Sequence, residues 1–315
     1  MLNINKLTVS IAISLLLPSS IYAQAQTLKF AWPDGASAKV QVRSEGSRVR
    51  EGKPRTWDMS AAFTMQVKRA NDRVVVSRND FSGWKGTFPP GFGGGAERFV
   101  DMIPTVILSD DGVFVGIEGH ETARKLMDAS VAQAGGATPL ERNALKEVLS
   151  DASLEVMAAT HWASLVRLWL GVELDPALAY EIRSQTRVPV LGDGEIEING
   201  TVKFVKETPC EATRKEFPCV HLHAETAADK AQVAKLLQSF LQRATAGNPI
   251  VTGFDQQYKV DIVVEKTTML PQRLKITRIH NLALKHKPTL PAERGSEEIS
   301  TTYTFTWLST PVANN

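Results

Sequence analysis

Apolar and polar residues alternate with a period of two along much of this chain. Trp57, Met59, Ala61, Phe63, Met65 and Val67 alternate with Asp58, Ser60, Ala62, Thr64, Gln66 and Lys68. That pattern predicts a strand with one buried face and one largely wetted face. The same alternation runs through Tyr258, Val260, Ile262 and Val264, and through Ile299, Tyr303, Phe305 and Trp307. Turn chemistry falls between such runs: Asn71-Asp72, Asp111-Gly112 and Asn199-Gly200, the last expected to separate Glu195–Ile198 from Thr201–Val205. These dipeptides suit two-residue hairpins because both central positions need positive φ. Leu270-Pro271 is expected to turn the chain between Gln256–Lys266 and Gln272–Lys285. Consecutive strands are therefore expected to be antiparallel neighbours.

Helical spacing interrupts this pattern twice. In a block from about residue 120 to 171, Thr138, Pro139 and Glu141 form a capping box with proline at the first helical position. Leu154, Met157, Trp162, Leu165, Val166 and Trp169 then recur at helical intervals. A second helix is expected over Asp229–Ala244, with Val233, Leu236, Leu237, Phe240 and Leu241 on one stripe and Gly247 beyond its end. The expected fold class is α+β. It comprises one large curved antiparallel sheet of about 10–12 strands, a helical insertion, and one further helix on the sheet's apolar face. Residues 26–315 read as a single domain.

Residues 1–25 change the setting. Lys6 supplies a positive n-region, Leu7–Leu17 a short apolar run, and Ala23 and Ala25 the small residues of a cleavage site. The run is shorter than the roughly 20 residues of a membrane-spanning helix, and no cysteine follows for lipid attachment. The expectation is an exported soluble protein, periplasmic or secreted, and not an integral membrane protein. Hydrophobic content of 43% and charged content of 22% suit a chain that buries a core. A formal net charge of +2 gives no field for gathering nucleic acid.

Export also bears on the two cysteines. Cys210 and Cys219 flank a turn between two predicted strands, and an oxidising compartment makes a disulfide the expected pairing. Cys219, His221 and His223 share one face of a strand, so a Cu(I) or Zn(II) site is the competing reading. Oxidation would remove both thiolates. Antiparallel register would also place Thr208 opposite His221 and Lys206 opposite His223, and a lysine opposes a metal ligand. No metal and no cofactor are expected.

Other candidates divide between chemistry and packing. The run from Phe88 to Gly95 lacks the Lys-Ser/Thr of a P-loop; it reads as a surface loop, or as a lid in which Phe88 and Phe92 supply apolar contacts. His120-Glu121 has Arg124 where a zinc protease motif needs its second histidine. Neither Gly-x-Ser-x-Gly nor Ser-x-x-Lys occurs. His161 with Trp162 and Trp169 fits either a pocket wall or a core stripe. The basic stretch Arg273, Lys275, Arg278, His280, Lys285, His286 and Lys287 does not keep one strand phase. It reads as a solvated edge strand guarded by lysines, with binding of anionic groups as the competing reading.

Two segments resemble known domains. Leu108-Ser-Asp-Asp-Gly-Val-Phe-Val-Gly-Ile-Glu-Gly119, leading into a helix, resembles a segment of uncharacterised secreted bacterial β-rich domains. Val264–Arg278, with its Thr-Thr-Met-Leu-Pro turn, resembles a hairpin of those domains and of periplasmic lipoprotein-carrier-like proteins. The resemblance implies a curved antiparallel sheet wrapped around helices and sheltering acyl chains. Neither segment carries a catalytic residue.

The expectation is therefore a non-enzymatic protein binding an apolar or amphiphilic ligand, such as a lipid, between sheet and helices. Trp57, Phe63, Trp162, Trp169, Tyr303 and Phe305 are the lining candidates. An envelope protein-interaction module with a filled core, and a hydrolase with a dispersed site, are the alternatives. An interior void well below about 300 Å³ would count against a carrier.

Overall fold

A computed structural model describes residues 26–87, 104–121, 124–125, 150–187, 194–210, 216–244 and 249–308. Residues 1–25, Phe88, Phe92 and the Thr138–Glu141 capping box lie outside them.

Alternation drives the strands. In β1 (Ser37–Arg50), Ala38, Val40 and Ser44 are buried while Lys39, Gln41, Arg43 and Glu45 face solvent. β2 (Lys53–Ala70) buries Trp57, Ala61, Phe63, Met65 and Val67 in one phase, as the sequence predicts. Nine more strands follow: β3 (Arg73–Thr87), β4 (Thr105–Ser109), β5 (Phe114–Glu118), β6 (Tyr180–Arg187), β7 (Glu195–Pro209), β8 (Pro218–Ala228), β9 (Ile250–Glu265), β10 (Pro271–Lys285) and β11 (Glu293–Trp307). They form one antiparallel sheet in the order β5-β4-β3-β2-β1-β11-β10-β9-β8-β7-β6. Among the described residues β5 and β6 are its edges, so the sheet does not close. Two local meanders thus meet where β1 pairs with β11, from Ala38↔Trp307 to Arg50↔Gly295.

Two helices pack on the sheet's inner face. α1 (Asp151–Leu165) starts where Ser150 Oγ accepts from the Ser153 N–H, and it continues into a 3₁₀ turn at Arg167–Trp169. α2 (Lys230–Ala244) starts at Asp229, whose carboxylate accepts from the Gln232 N–H at 2.7 Å. Of the predicted α1 stripe, Leu154, Trp162, Leu165, Val166 and Trp169 are buried; Met157 instead faces solvent.

One end of the inner face is filled by aromatic rings. The segment before β1 lays Leu28, Phe30 and Trp32 against α1 and the strand ends. Trp32 meets Trp162 at 5.3 Å and Trp307 at 5.9 Å, both edge-on. Each indole N–H donates to a backbone carbonyl: Trp32 to Met269, Trp162 to Gly112, Trp169 to Ser164 and Trp307 to Pro271. Burial of these rings leaves none of their donors unsatisfied, as a buried indole requires.

Three expectations are corrected. Asn199-Gly200 is no turn: both residues lie inside the continuous strand β7. A Cβ on Gly200 would sit 2.2 Å from the Glu225 carbonyl oxygen of β8, so the glycine permits close strand approach. The basic stretch is no edge strand, since β10 is paired on both sides by β9 and β11. In the disulfide hairpin Thr208, not Cys210, stands opposite Cys219, which sets Lys206 opposite His221, and a register shift between Phe204 and Lys206 then sets Lys203 opposite His223. The turns at Asn71-Asp72 and Asp111-Gly112 stand. The hairpin between β9 and β10 also stands, but its turn lies at Lys266–Met269, with Pro271 already paired to Val264.

Candidate ligand site on the inner face of the sheet

The inner face of β10 changes character along its length. Leu274 and Ile276 are buried in the core; Arg278, His280, Leu282 and Leu284 continue the same phase beyond it. α1 covers the core end and α2 packs over β9 and β7 at the other. Between them lies a belt of polar side chains, followed along β10 by an apolar groove.

The belt is basic and hydroxyl-rich. Arg78 continues the buried phase of Val74 and Val76 on β3, and its guanidinium lies 5.9 Å from the Phe63 ring centroid. Arg278, on the more open side, lies 5.6 Å from the ring of Tyr258, its direct partner on β9. From α1, Ser164 Oγ and Tyr258 OH share a hydrogen bond at 2.8 Å, and the His161 ring meets Tyr303 at 5.2 Å. Ser44 and Thr301 pair their hydroxyls at 3.1 Å in the neighbouring row. Among the described residues, neither Arg78 nor Arg278 is paired with a carboxylate.

Titration behaviour follows from this composition. Burial, then repulsion from Arg78 and Arg278, holds His161 well below its usual value of 6.5, so it is neutral at neutral pH. Burial raises the Tyr303 hydroxyl, against the opposing pull of the same two arginines, so it stays a donor. Burial lowers Arg78 somewhat, but a guanidinium remains charged.

Beyond the belt, a groove of about 470 Å³ runs between the ends of β1, β10 and β11 and helix α2. Phe254, Leu282, Leu284 and Leu237 supply its apolar wall. Two of its charged pairs are matched internally, while Arg50 and Arg294 have no carboxylate partner among the described residues. Arg48 donates to Glu297 through Nε at 2.8 Å and Nη2 at 2.5 Å, and His286 Nε2 lies 3.2 Å from Glu293. His280 Nε2 is buried without a hydrogen-bond partner among the described residues; burial lowers this imidazole, Glu297 raising it and Arg278 lowering it further.

The outer face of the sheet is different in kind. A larger hollow of about 660 Å³ lies where β2 and β3 slip register, but hydroxyls and charges dominate its lining. There Arg43 is already neutralised by Glu45 and Asp58. His221 Nε2 and His223 Nδ1 both lie 3.0 Å from the same Asp261 oxygen. Burial alone would raise Asp261, but hydrogen bonding to His223 and His221 holds it below the usual carboxylate value. Cys210 and Cys219 form the expected disulfide, Cα atoms 5.0 Å apart. The two histidines thus serve a carboxylate, and their neighbouring cysteine is a bridge.

Of the predicted lining residues, Tyr303 stands in the belt and Phe63 lies beneath Arg78. Trp57 is buried against Gly46, where a Cβ would meet its ring at 2.1 Å. Trp162, Trp169 and Phe305 are 1%, 0% and 2% exposed and belong to the packed core. Sequence reasoning missed Arg78, Tyr258 and the groove residues Leu237, Phe254, Leu282 and Leu284. One signal was available: an arginine standing in an apolar phase, after Val74 and Val76 on one strand and after Leu274 and Ile276 on another.

No protein-family model matches the sequence, and no curated protein matches it. Among solved structures, Pseudomonas aeruginosa OccK5 (OpdH) superposes over 87% of this chain and 99% of its own, at 8% identity and a TM-score of 0.21. At that level, fold and function rest on the residues of this chain.

Proposed function

We propose that this chain is an exported envelope protein that binds an amphiphilic ligand on the inner face of its sheet and catalyses no reaction on it. The groove of about 470 Å³ carries this reading. It exceeds the roughly 300 Å³ below which a drug-sized ligand finds no room, and its lining joins apolar Leu237, Phe254, Leu282 and Leu284 to the charged Arg48, Arg50, Glu293 and Glu297. The secretory layout of residues 1–25 supports export to the periplasm or beyond. The resemblance to lipoprotein-carrier-like proteins points to the same use of a sheet face. The belt offers little to a hydrolase, because Ser164 bonds Tyr258 and the Thr160 carbonyl rather than a histidine base.

Native mass spectrometry of the chain purified from its own host tests the proposal. The expected result is a bound mass that organic extraction removes and that proves to carry a hydrocarbon moiety. A clean apo mass, together with no uptake of any alkyl compound by the delipidated chain, would overturn it in favour of an interaction module.

A further inference from the structure

The strand register lays the groove out in rows, because residues directly paired across a sheet share one face. In one row Arg48 of β1 stands opposite Glu297 of β11, and Glu297 opposite His280 of β10. In the next, Arg50 stands opposite Gly295 and Gly295 opposite Leu282, which is paired in turn with Phe254 of β9. All of these residues line the groove. The second row therefore reads cation, no side chain, leucine, phenylalanine. Gly295 leaves a slot in the floor that crosses the strands, and from β1 to β9 it spans three inter-strand spacings, about 14 Å. Helix α2 packs over β9 and β7, so Leu237 lies at the apolar end, while Arg50 at the other end is exposed.

The cationic end lacks a counter-charge. Arg48 is held by Glu297, and Glu293 lies beside His286, which accounts for both carboxylates of the lining. Arg50 has no carboxylate partner among the described residues. Its direct partner on β2 is Lys53, and that of Arg48 is Arg55; neither Lys53 nor Arg55 has an ion pair among the described residues. Four cations thus share one face of the β1–β2 hairpin, and like charges set opposite one another across strands repel. A bound anion turns that repulsion into attraction, and a guanidinium meets an oxyanion through two parallel N–H bonds. Arg294 belongs to the opposite strand phase, opposite Ala283, so Arg50 is the arginine that faces the slot.

We infer that the ligand of the groove lies across the strands, its oxyanion head, a carboxylate or phosphate, on Arg50 beside Lys53 and its hydrocarbon passing over Gly295 to Leu282, Phe254 and Leu237. This rests on the amphiphile reading above and deepens it. It excludes cationic heads and makes Gly295 the gap through which the tail reaches the apolar wall.

The test is a calorimetric titration of the delipidated full chain with compounds of one tail and different heads: dodecanoic acid, dodecyl phosphate, dodecanol and dodecyltrimethylammonium. Sodium acetate and inorganic phosphate are titrated in parallel. The acid and the phosphate ester are expected to bind about 10- to 100-fold more tightly than the alcohol, the range for hydrogen bonds to charged groups. In R50Q/K53Q that preference should vanish while alcohol affinity holds; K275Q, on the outer face, should leave it intact. Gly295 is not at positive φ, and a Cβ there would meet nothing nearer than the Val49 carbonyl oxygen at 3.6 Å. G295V should therefore fold with an unchanged Tm and lose about 10-fold or more in affinity for acid and alcohol alike. Equal affinity for acid and alcohol in the wild-type chain, or a preference that survives R50Q/K53Q, overturns the head site and leaves the amphiphile reading standing. A folded G295V with undiminished affinity overturns the tail path in the same way. Acetate or phosphate binding as tightly as the long-chain compounds assigns the site to free anions and overturns the amphiphile reading. No binding of any compound overturns both.

Discussion

Gly200 offers the sharpest test of how this sheet is built. If Asn199-Gly200 were a hairpin turn, both residues would need positive φ. In the structure they lie mid-strand in β7, and Gly200 faces Thr226 of β8, with the Glu225 carbonyl oxygen 2.2 Å from where a Cβ would stand. G200A therefore drives a methyl group into backbone that is itself paired to β9, and overpacking of this kind costs about 1–3 kcal/mol. Urea unfolding of the mature chain reads it. With a slope of about 3 kcal/mol per M, the midpoint should fall by about 0.3–1 M. N199T supplies the discriminating control. Asn199 is exposed in the strand, so a β-branched residue there should be neutral or stabilising by up to about 1 kcal/mol. In a turn the same change would force a β-branched residue to positive φ, at a cost of roughly 1–2 kcal/mol. A destabilising N199T, or a neutral G200A, refutes the continuous-strand account.

Three further outcomes are expected. Replacing both Cys210 and Cys219 with serine should lower stability by about 2.5–3 kcal/mol, the loop entropy for a sequence separation of 9, measured as a shift in urea midpoint. W162F leaves the Gly112 carbonyl without its buried donor and should cost about 1–3 kcal/mol, seen as a lower Tm. His161 and His280 are both held below 6.5, so the unfolded chain takes up protons first as pH falls. Their contribution is therefore intact above about pH 6.5 and is lost progressively below it, and H161N should flatten a pH–Tm profile between about pH 7 and pH 5.

Most of the fold was legible because burial on one face writes a period of two. The strands of Trp57–Val67, Tyr258–Val264 and Ile299–Trp307 carry that period cleanly, and the turn at Asn71-Asp72 carries its interruption, while the turn expected at Leu270-Pro271 falls a few residues earlier, at Lys266–Met269. Asn199-Gly200 misled because one dipeptide serves two purposes: a turn needs glycine's φ, while a tight strand crossing needs its missing Cβ. The candidate site was harder to read. Phe63 and Tyr303 were found because they sit in a strand phase, but Trp162 and Trp169 satisfy their N–H groups within the core. The groove residues come from opposite halves of the chain, and only the pairing of β1 with β11 brings Arg48 and Glu297 together. Pairing across the sheet also decides that β10 is interior, which no local composition states.

The pairing of the first strand with the last has one more consequence. Each meander, β1–β5 and β6–β11, is a series of hairpins between sequence neighbours, and such local contacts form fast. The seam between them is non-local and needs the final strand, Glu293–Trp307. A nascent chain can therefore complete most of its hairpins while still lacking its centre, with β1 and β10 as two open edges. The groove straddles this seam, drawing Arg48 from β1 and Glu297 from β11. A chain that stops short of β11 therefore lacks the groove itself, since part of its wall arrives only when the two halves zip together.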